Sequence, residues 1–440
     1  MRFIKQRNMR FRLVAALAAA LGAGGCDLDL TNPNSPPAEL VLSTPDGIIA
    51  LATGMQGQYA GTGVGTGVVL NSVRTPALVT DEWGGTSRIL AADRALITGQ
   101  GVDASFLVAT QPFSSSFRVI RSAEELIESA PGVGLGKGTL AGVLATAKTF
   151  KAMSLGVLYS QYERAPTSAT LGANPLRPRG EVLDSAIALL ESARTDLGSA
   201  TTAELADFRA RVQGPGYNLA DVINAYLARY YLWDGQYQNA IDAANRVVLT
   251  RLNVLTYPDP NRNPIWGYAT SLLYVGGRNT FVTEAQAGDQ RPAFWLRTDL
   301  APITTGATPG PIRTLRQFQD RNESYPLFLP DEMRLIKSEA FARLGNFAQA
   351  RTFFNEVRTQ QSSTFNEPTA GLPAVSAEAM DTLDEALRLI AYERRYELYE
   401  QGLRWEDIRR LGQTVAGGRM SIPFLPTPQG ECLYNPGAGC

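Results

Sequence analysis

Histidine is missing altogether from the 440 residues, and cysteine occurs only three times. Without histidine there is no Ser-His-Asp or Cys-His nucleophile system and no histidine-based zinc site. Hydrolysis by a carboxylate pair needs neither and stays open. A basic block is missing as well. With 41 Lys and Arg against 42 Asp and Glu the net charge is −1, which argues against nucleic acid as a partner. Long apolar runs are absent too. The longest stretch near the N-terminus, Leu13 to Leu21, is far short of the roughly 20 residues that span a bilayer core.

What precedes and follows that stretch gives it a meaning. Arg2, Lys5, Arg7, Arg10 and Arg12 lead it without an acidic residue, and Gly22-Ala23-Gly24-Gly25 follow it, directly before Cys26. A basic segment, a short apolar core and small residues form a secretory signal. The cysteine behind them resembles a lipobox, the site at which a signal peptidase cuts and lipid is attached to the new N-terminal Cys. Ala23 stands where Leu is commonest. Residues 1–25 are therefore expected to be a lipoprotein signal peptide, and residues 26–45, polar and Pro-rich, a lipidated tether. Removing the signal takes five basic residues and no acidic one, leaving a mildly acidic body of net charge −6. Several acyl chains at about 0.8 kcal/mol per methylene make such an anchor stable. In an exported compartment Cys432 and Cys440 are a candidate disulfide.

Apolar residues recur at three and four through 113–128, 141–162, 181–197, 218–233, 236–250, 331–344, 347–361 and 383–401, and a helix opens at 46–60. The fold expected is mostly α with little β. Gly61 to Gly67 and Gly132 to Thr139 are glycine-rich but match neither a dinucleotide fingerprint nor a phosphate loop; the second reads as a flexible connector between helices. Residues 256–330, rich in Pro, Gly, Asn and aromatics, read as long ordered loops with a short hairpin near 272–282, and loops of that length are usually functional. This divides the body into a helical part, 46–255, and a part with binding loops and the last helices, 256–440.

Two segments repeat. Gly235-Gln236-Tyr237 with Ala240 and Gly345-Asn346-Phe347 with Ala350 share one spacing, and Val247 and Val357 each fall at the same later position. A Gly that ends one helix, an aromatic in the turn and an Ala that lets helices approach are the turn and second helix of a tetratricopeptide-like pair. Such helix pairs form interaction scaffolds and say nothing of the ligand.

The most specific residues are Glu393-Arg394-Arg395-Tyr396-Glu397-Leu398, followed by Gly402-Leu403-Arg404-Trp405-Glu406-Asp407-Ile408-Arg409-Arg410-Leu411-Gly412. They closely resemble the signature of the SusD/RagB family. Ala145–Pro166, 331–358 with Asn355-Glu356-Val357-Arg358, Asp289-Gln290-Arg291 and Asn435-Pro436-Gly437 extend the likeness over most of the chain. Gln401 stands where the family usually has Glu, which puts one local ion pair in doubt. The resemblance implies a SusD-like helix-pair fold, an outer-membrane, surface-exposed lipoprotein, capture of oligosaccharides or, in the RagB branch, of peptides, and delivery to a SusC-like TonB-dependent porin. It implies no cofactor and no enzymatic activity, and it leaves any metal unknown.

Physics gives the charged signature a structural role. Leu383, Leu387, Ile390, Arg394 and Leu398 share one helical stripe, so Arg394 interrupts an apolar face and must be paired. The expected ion-pair cluster is Glu393, Arg394, Glu397, Arg404 and Asp407, with Glu393, Glu397 and Asp407 as candidate partners of Arg394. Sugar rings stack on aromatic faces. Of the five tryptophans, Trp233 and Trp405 lie in helical motifs and read as core, whereas Trp83, Trp266 and Trp295, with Tyr268, lie in loop-like contexts and are the ligand-binding candidates. Three classes compete: a nutrient-binding porin accessory, which is favoured; a peptide-binding or scaffolding helical-repeat lipoprotein, favoured by the lack of loop aromatics; and a glycoside hydrolase, favoured by facing carboxylates in a cleft.

Overall fold

The computed structural model describes residues 41–63, 67–170, 172, 174–363 and 365–440. Residues 1–25, Cys26 and most of the tether lie outside the described residues. The first helices are α1 (Pro45–Ala60), capped by the Thr44 hydroxyl, and α2 (Val68–Val79). After β1 (Trp83–Gly85) come α3 (Ala91–Thr98), α4 (Leu107–Ser129) and α5 (Lys137–Gln161). Two short strands, β2 (Arg164–Ala165) and β3 (Arg177–Pro178), lead to α6 (Arg179–Gly198), α7 (Ala206–Arg211), α8 (Leu219–Trp233) and α9 (Tyr237–Asn245). The loop region holds β4 (Asn253–Leu255), β5 (Val275–Arg278), α10 (Thr280–Thr283), α11 (Arg291–Trp295), β6 (Ile312–Arg313) and β7 (Tyr325–Phe328). The chain closes with α12 (Pro330–Arg343), α13 (Phe347–Arg358), α14 (Leu383–Glu397), α15 (Arg404–Leu411), α16 (Gln413–Ala416) and α17 (Gln429–Tyr434).

The expected helix pairs are present and stacked. α5 packs on α6, α8 on α9 and α12 on α13, and the pairs join through α6 against α8 and α9 against α12. The two repeat turns are closed by corresponding bonds: Gly235 N to Leu232 O and Gln236 N to Tyr231 O in one, Gly345 N to Ala342 O and Asn346 N to Phe341 O in the other. Both glycines take a positive φ, 76° and 78°. Ala240 and Ala350 are fully buried where the helices meet. α5 is small or apolar on most of its faces and is buried on most of them, as a central helix must be. Its Gly156 admits α8 so closely that a Cβ there would lie 1.8 Å from the Tyr230 hydroxyl.

Several expectations change. Lys137, assigned to a flexible connector, opens α5, so the connector is shorter. α14 ends at Glu397, not at 401, because the chain must turn at Gly402, whose φ is 71° and where a Cβ would strike the Ser72 carbonyl at 1.9 Å. No hairpin forms at 272–282. Residues 266–271 coil into a π-helical turn, and β5 pairs antiparallel with two distant strands, Trp83 opposite Gly277 on one side and Arg313 opposite Gly277 on the other. A local sequence pattern carries no sign of a three-stranded sheet assembled from three remote segments. Residues 42–440 form one compact unit, so the division at 255 marks a change of local structure along the chain. Among the described residues no helix is long and apolar enough to cross a membrane.

Candidate functional site

The charged signature of α14 and α15 lies inside the protein. Arg394 interrupts the apolar stripe as expected, and Asp407 is its partner, at 2.8 Å. Asp407 also takes Arg410 at 2.7 Å, and Arg410 reaches on to Glu339 of α12. Burial alone would raise the Asp407 carboxyl, but Arg394 and Arg410 outweigh it and hold the group below its ordinary value. Glu393 divides its two oxygens between Arg291 of α11, at 2.5 Å, and Arg358 of α13, at 2.6 Å. Arg291 is in turn held by Asp289, so the Asp-x-Arg motif is the anchor of a loop.

Two members of the expected cluster behave otherwise. Glu397 lies 3.5 Å from Arg291, but burial, and then the neighbouring Asp331, push its carboxyl well above the carboxylate range. Arg404 makes no ion pair among the described residues. Its guanidinium donates to the carbonyls of Ala416 and Gly417, closing the end of α16, and burial beside Arg395 lowers its pKa to about 10.

The loop aromatics prove to be anchors. Trp83 has no exposed surface and stacks on Tyr268, itself fully buried, with ring centroids 6.4 Å apart. The Tyr268 hydroxyl donates to Asp93, and Arg74 lies over the ring. Trp295 is 3% exposed and donates its indole N–H to the Tyr396 carbonyl at 2.9 Å. These three rings offer no face to a ligand in this structure, and this corrects their assignment. Trp266 alone of the four keeps partial exposure, with Arg262 over its ring. Trp405 is fully buried, in keeping with its core assignment, whereas Trp233 is only half-buried.

What the anchored loops enclose is a cleft of about 300 Å³. Its floor is the small sheet, with Val275, Gly276 and Ile312; its walls come from 86–88, 269–273, 303–305 and 313–319. Gly84 keeps the floor low, since a Cβ there would lie 2.5 Å from an Ile312 methyl. Leu273 and Ile303 are about half exposed on its rim, at 48% and 50%. Polar groups stand between them: Ser87, Thr314, Gln319, Arg88 and Arg313. Among the described residues no carboxylate lines this cleft, and a two-carboxylate hydrolysis would need a pair of them there. Among the described residues no group of three or more Cys, Asp or Glu is arranged to hold a metal ion.

A second, larger cleft of about 810 Å³ lies between α4, the loop after Pro166 and α17. Phe113 and Phe117 stack at 4.6 Å on one wall, and Tyr434 stands 85% exposed on the other. Asn174 and Asn435 tie that wall with reciprocal bonds of 3.0 and 2.5 Å. The Cys432–Cys440 disulfide is formed and staples α17 to the chain end. Composition and periodicity gave no sign of Phe117, Tyr434, Arg88 or Arg313 as lining residues. The only available signal was that Tyr434 falls inside the cysteine-flanked segment.

Residues 317–424, which include Glu339, Arg358, Glu393, Arg394 and Asp407 of the buried charge network, match the SusD family. The SusD/RagB resemblance of this chain is real. A likeness of fold covers nearly the whole chain. A SusD superfamily protein from Bacteroides fragilis superposes with a TM-score of 0.68 at 16% identity, covering 91% of this chain and 100% of its own. A SusD-like carbohydrate binding protein from Bacteroides vulgatus gives 0.67 at 14%, covering 90% and 98%. Surface glycan-binding protein A from Bacteroides uniformis gives 0.62 at 15%, covering 84% and 89%. No curated protein sequence matches the chain. The SusD-like fold therefore stands on the structures, and the family signature on the C-terminal quarter.

Proposed function

We propose that this chain is a lipid-anchored surface protein that captures an oligosaccharide without cleaving it and delivers it to a SusC-like TonB-dependent outer-membrane porin. The observation that carries the reading is the cleft walled by the long loops on a SusD-like frame, with exposed aliphatic edges beside the polar side chains of Ser87, Arg88 and Thr314. Sugar C–H faces rest on the first and hydroxyls bond the second. The carbohydrate-binding relative from Bacteroides vulgatus and the glycan-binding one from Bacteroides uniformis support it. In this reading residues 1–25 are the export signal, Cys26 carries the lipid and residues 26–45 are the tether. Trp266 remains a ligand contact of the loops.

A second reading has its own observation. The loop cleft presents no aromatic ring, which suits an extended peptide as well as a sugar. One experiment separates the two. Protein lacking residues 1–26 is applied to glycan and peptide arrays, and hits are followed by calorimetry and product analysis. Oligosaccharide binding that leaves the ligand intact is expected. Peptide hits alone select the second reading; shortened products overturn binding without cleavage.

A further inference from the structure

The loop cleft has a charge that the chain as a whole does not. The protein is nearly neutral, net −1, yet the cleft lining contains two arginines and no acidic residue. Neither arginine has an anionic partner among the described residues. Arg88 is exposed, and its guanidinium makes no hydrogen bond or ion pair. Arg313 is half-buried and is held by neutral acceptors only: its Nε donates to Asn279 Oδ1 at 2.6 Å and its Nη1 to the Leu300 carbonyl at 2.7 Å. Those bonds aim the guanidinium without neutralising it. The acids nearby are already engaged. Asp299 is shared by Arg297 and Arg316, both at 2.7 Å, and Asp81 by Arg278 and Arg419, at 3.1 and 3.2 Å.

Two uncompensated guanidinium groups among hydroxyls and aliphatic edges form a site for an anion with an extended body. The planar fork of the Arg88 guanidinium fits a carboxylate or sulfate with two parallel bonds, and Arg313 keeps its Nη2 to add a single donor. We infer that the ligand of the loop cleft is an anionic oligosaccharide, carrying uronate carboxylates or sulfate esters, with Arg88 and Arg313 as its specificity-determining residues. This rests on the oligosaccharide reading above and narrows it.

The test is calorimetry with the protein lacking residues 1–26. Oligogalacturonate and a sulfated oligosaccharide are compared with a carboxyl-reduced oligogalacturonate of the same length, each at low and high salt. One anionic oligomer is expected to bind at least tenfold tighter than its neutral counterpart, with affinity falling as salt rises. Which of the two binds tells carboxylate from sulfate. Arg88→Ala should weaken binding by about 10- to 100-fold, the range for a charged hydrogen bond, and Arg88→Glu should abolish it. Arg88 is exposed, so both variants keep the fold; Arg313→Ala loosens a wall and serves only in support. Equal affinity for the neutral oligomer, with indifference to salt and to Arg88→Glu, overturns the inference while capture stands. Tighter binding of acidic peptides than of either anionic oligosaccharide also overturns it. If no oligosaccharide of any charge binds, the capture reading itself falls.

Discussion

The two clefts are made of different materials and held by different means. The loop cleft is aliphatic and hydroxylic, bears two free positive charges and shows no ring. The larger cleft is walled by Phe117 and Tyr434 and carries both signs of charge, with Arg118 on α4 and Glu431 on α17. The loop cleft is tied to the body by buried groups: Trp83 on Tyr268, Trp295 on Tyr396, and Arg291 on Glu393. The larger one depends on the end of the chain, through Asn435 and one disulfide. Aromatic content therefore does not locate a ligand site. In the loops Trp83, Tyr268 and Trp295 are spent on holding the frame, and the surface left for a ligand is Trp266 and the polar remainder.

Three measurements would break or sharpen this contrast, the largest effect first. Glu393→Ala strips one anion from both Arg291 and Arg358 at zero solvent exposure. It should cost about 3–5 kcal/mol of global stability, read by denaturant melts. A loss under 1 kcal/mol would mean that the loop cleft is not anchored through this carboxylate.

The next effect is one of pH. Glu82 precedes Trp83, and its carbonyl accepts bonds from the Arg278 N–H and the Tyr399 hydroxyl. Burial pushes its carboxyl up to about 7, from an ordinary 4.5. A raised carboxyl keeps its full contribution below the unfolded value and loses it as pH rises through the folded one. Stability should thus decline between about pH 4.5 and 7, by up to about 3 kcal/mol from this group. Glu82→Gln should reduce the decline by that amount, leaving the share of other raised carboxyls such as Glu367, while fluorescence from a probe beside Tyr434 should show no matching transition. A decline of unchanged size in Glu82→Gln would place its source elsewhere.

The smallest effect belongs to the chain end. Replacing Cys432 and Cys440 by Ser opens a loop with a sequence separation of 8 and should cost about 2 kcal/mol locally. Hydrogen exchange should rise across α17 while the main melting transition stays in place. A coincident shift of the whole transition would mean that the larger cleft is as firmly built into the body as the loop cleft.

The helices and their pairing were legible because they are local. Gly235 and Gly345, the aromatics after them and the Ala beyond repeat at fixed spacing, and that spacing dictates both turn and packing. The stripe containing Arg394 was legible for the same reason, and it limited the partner to three acids, of which Asp407 is the one. Residue chemistry could not say that Trp83, Tyr268 and Trp295 turn inward. A loop-like neighbourhood fixes the backbone's irregularity, whereas burial depends on what packs from elsewhere, here Tyr268, Asp93 and the Tyr396 carbonyl. Arg404 misled by its charge, which is spent on two backbone carbonyls. Arg88 and Arg313 were invisible because only the sheet brings them to one cleft, and its strands lie far apart along the chain.

The inward turn of Trp83, Tyr268 and Trp295 has one more consequence, for how such a protein can change. The groups that hold the loops and the groups that would touch a ligand are separate sets of residues. Ser87 and Arg88 lie on the surface and carry little of the frame, so exchanges there should stay within about 0.5 kcal/mol of neutral. The lining can be rewritten for a new cargo, one side chain at a time, without renegotiating the architecture beneath it.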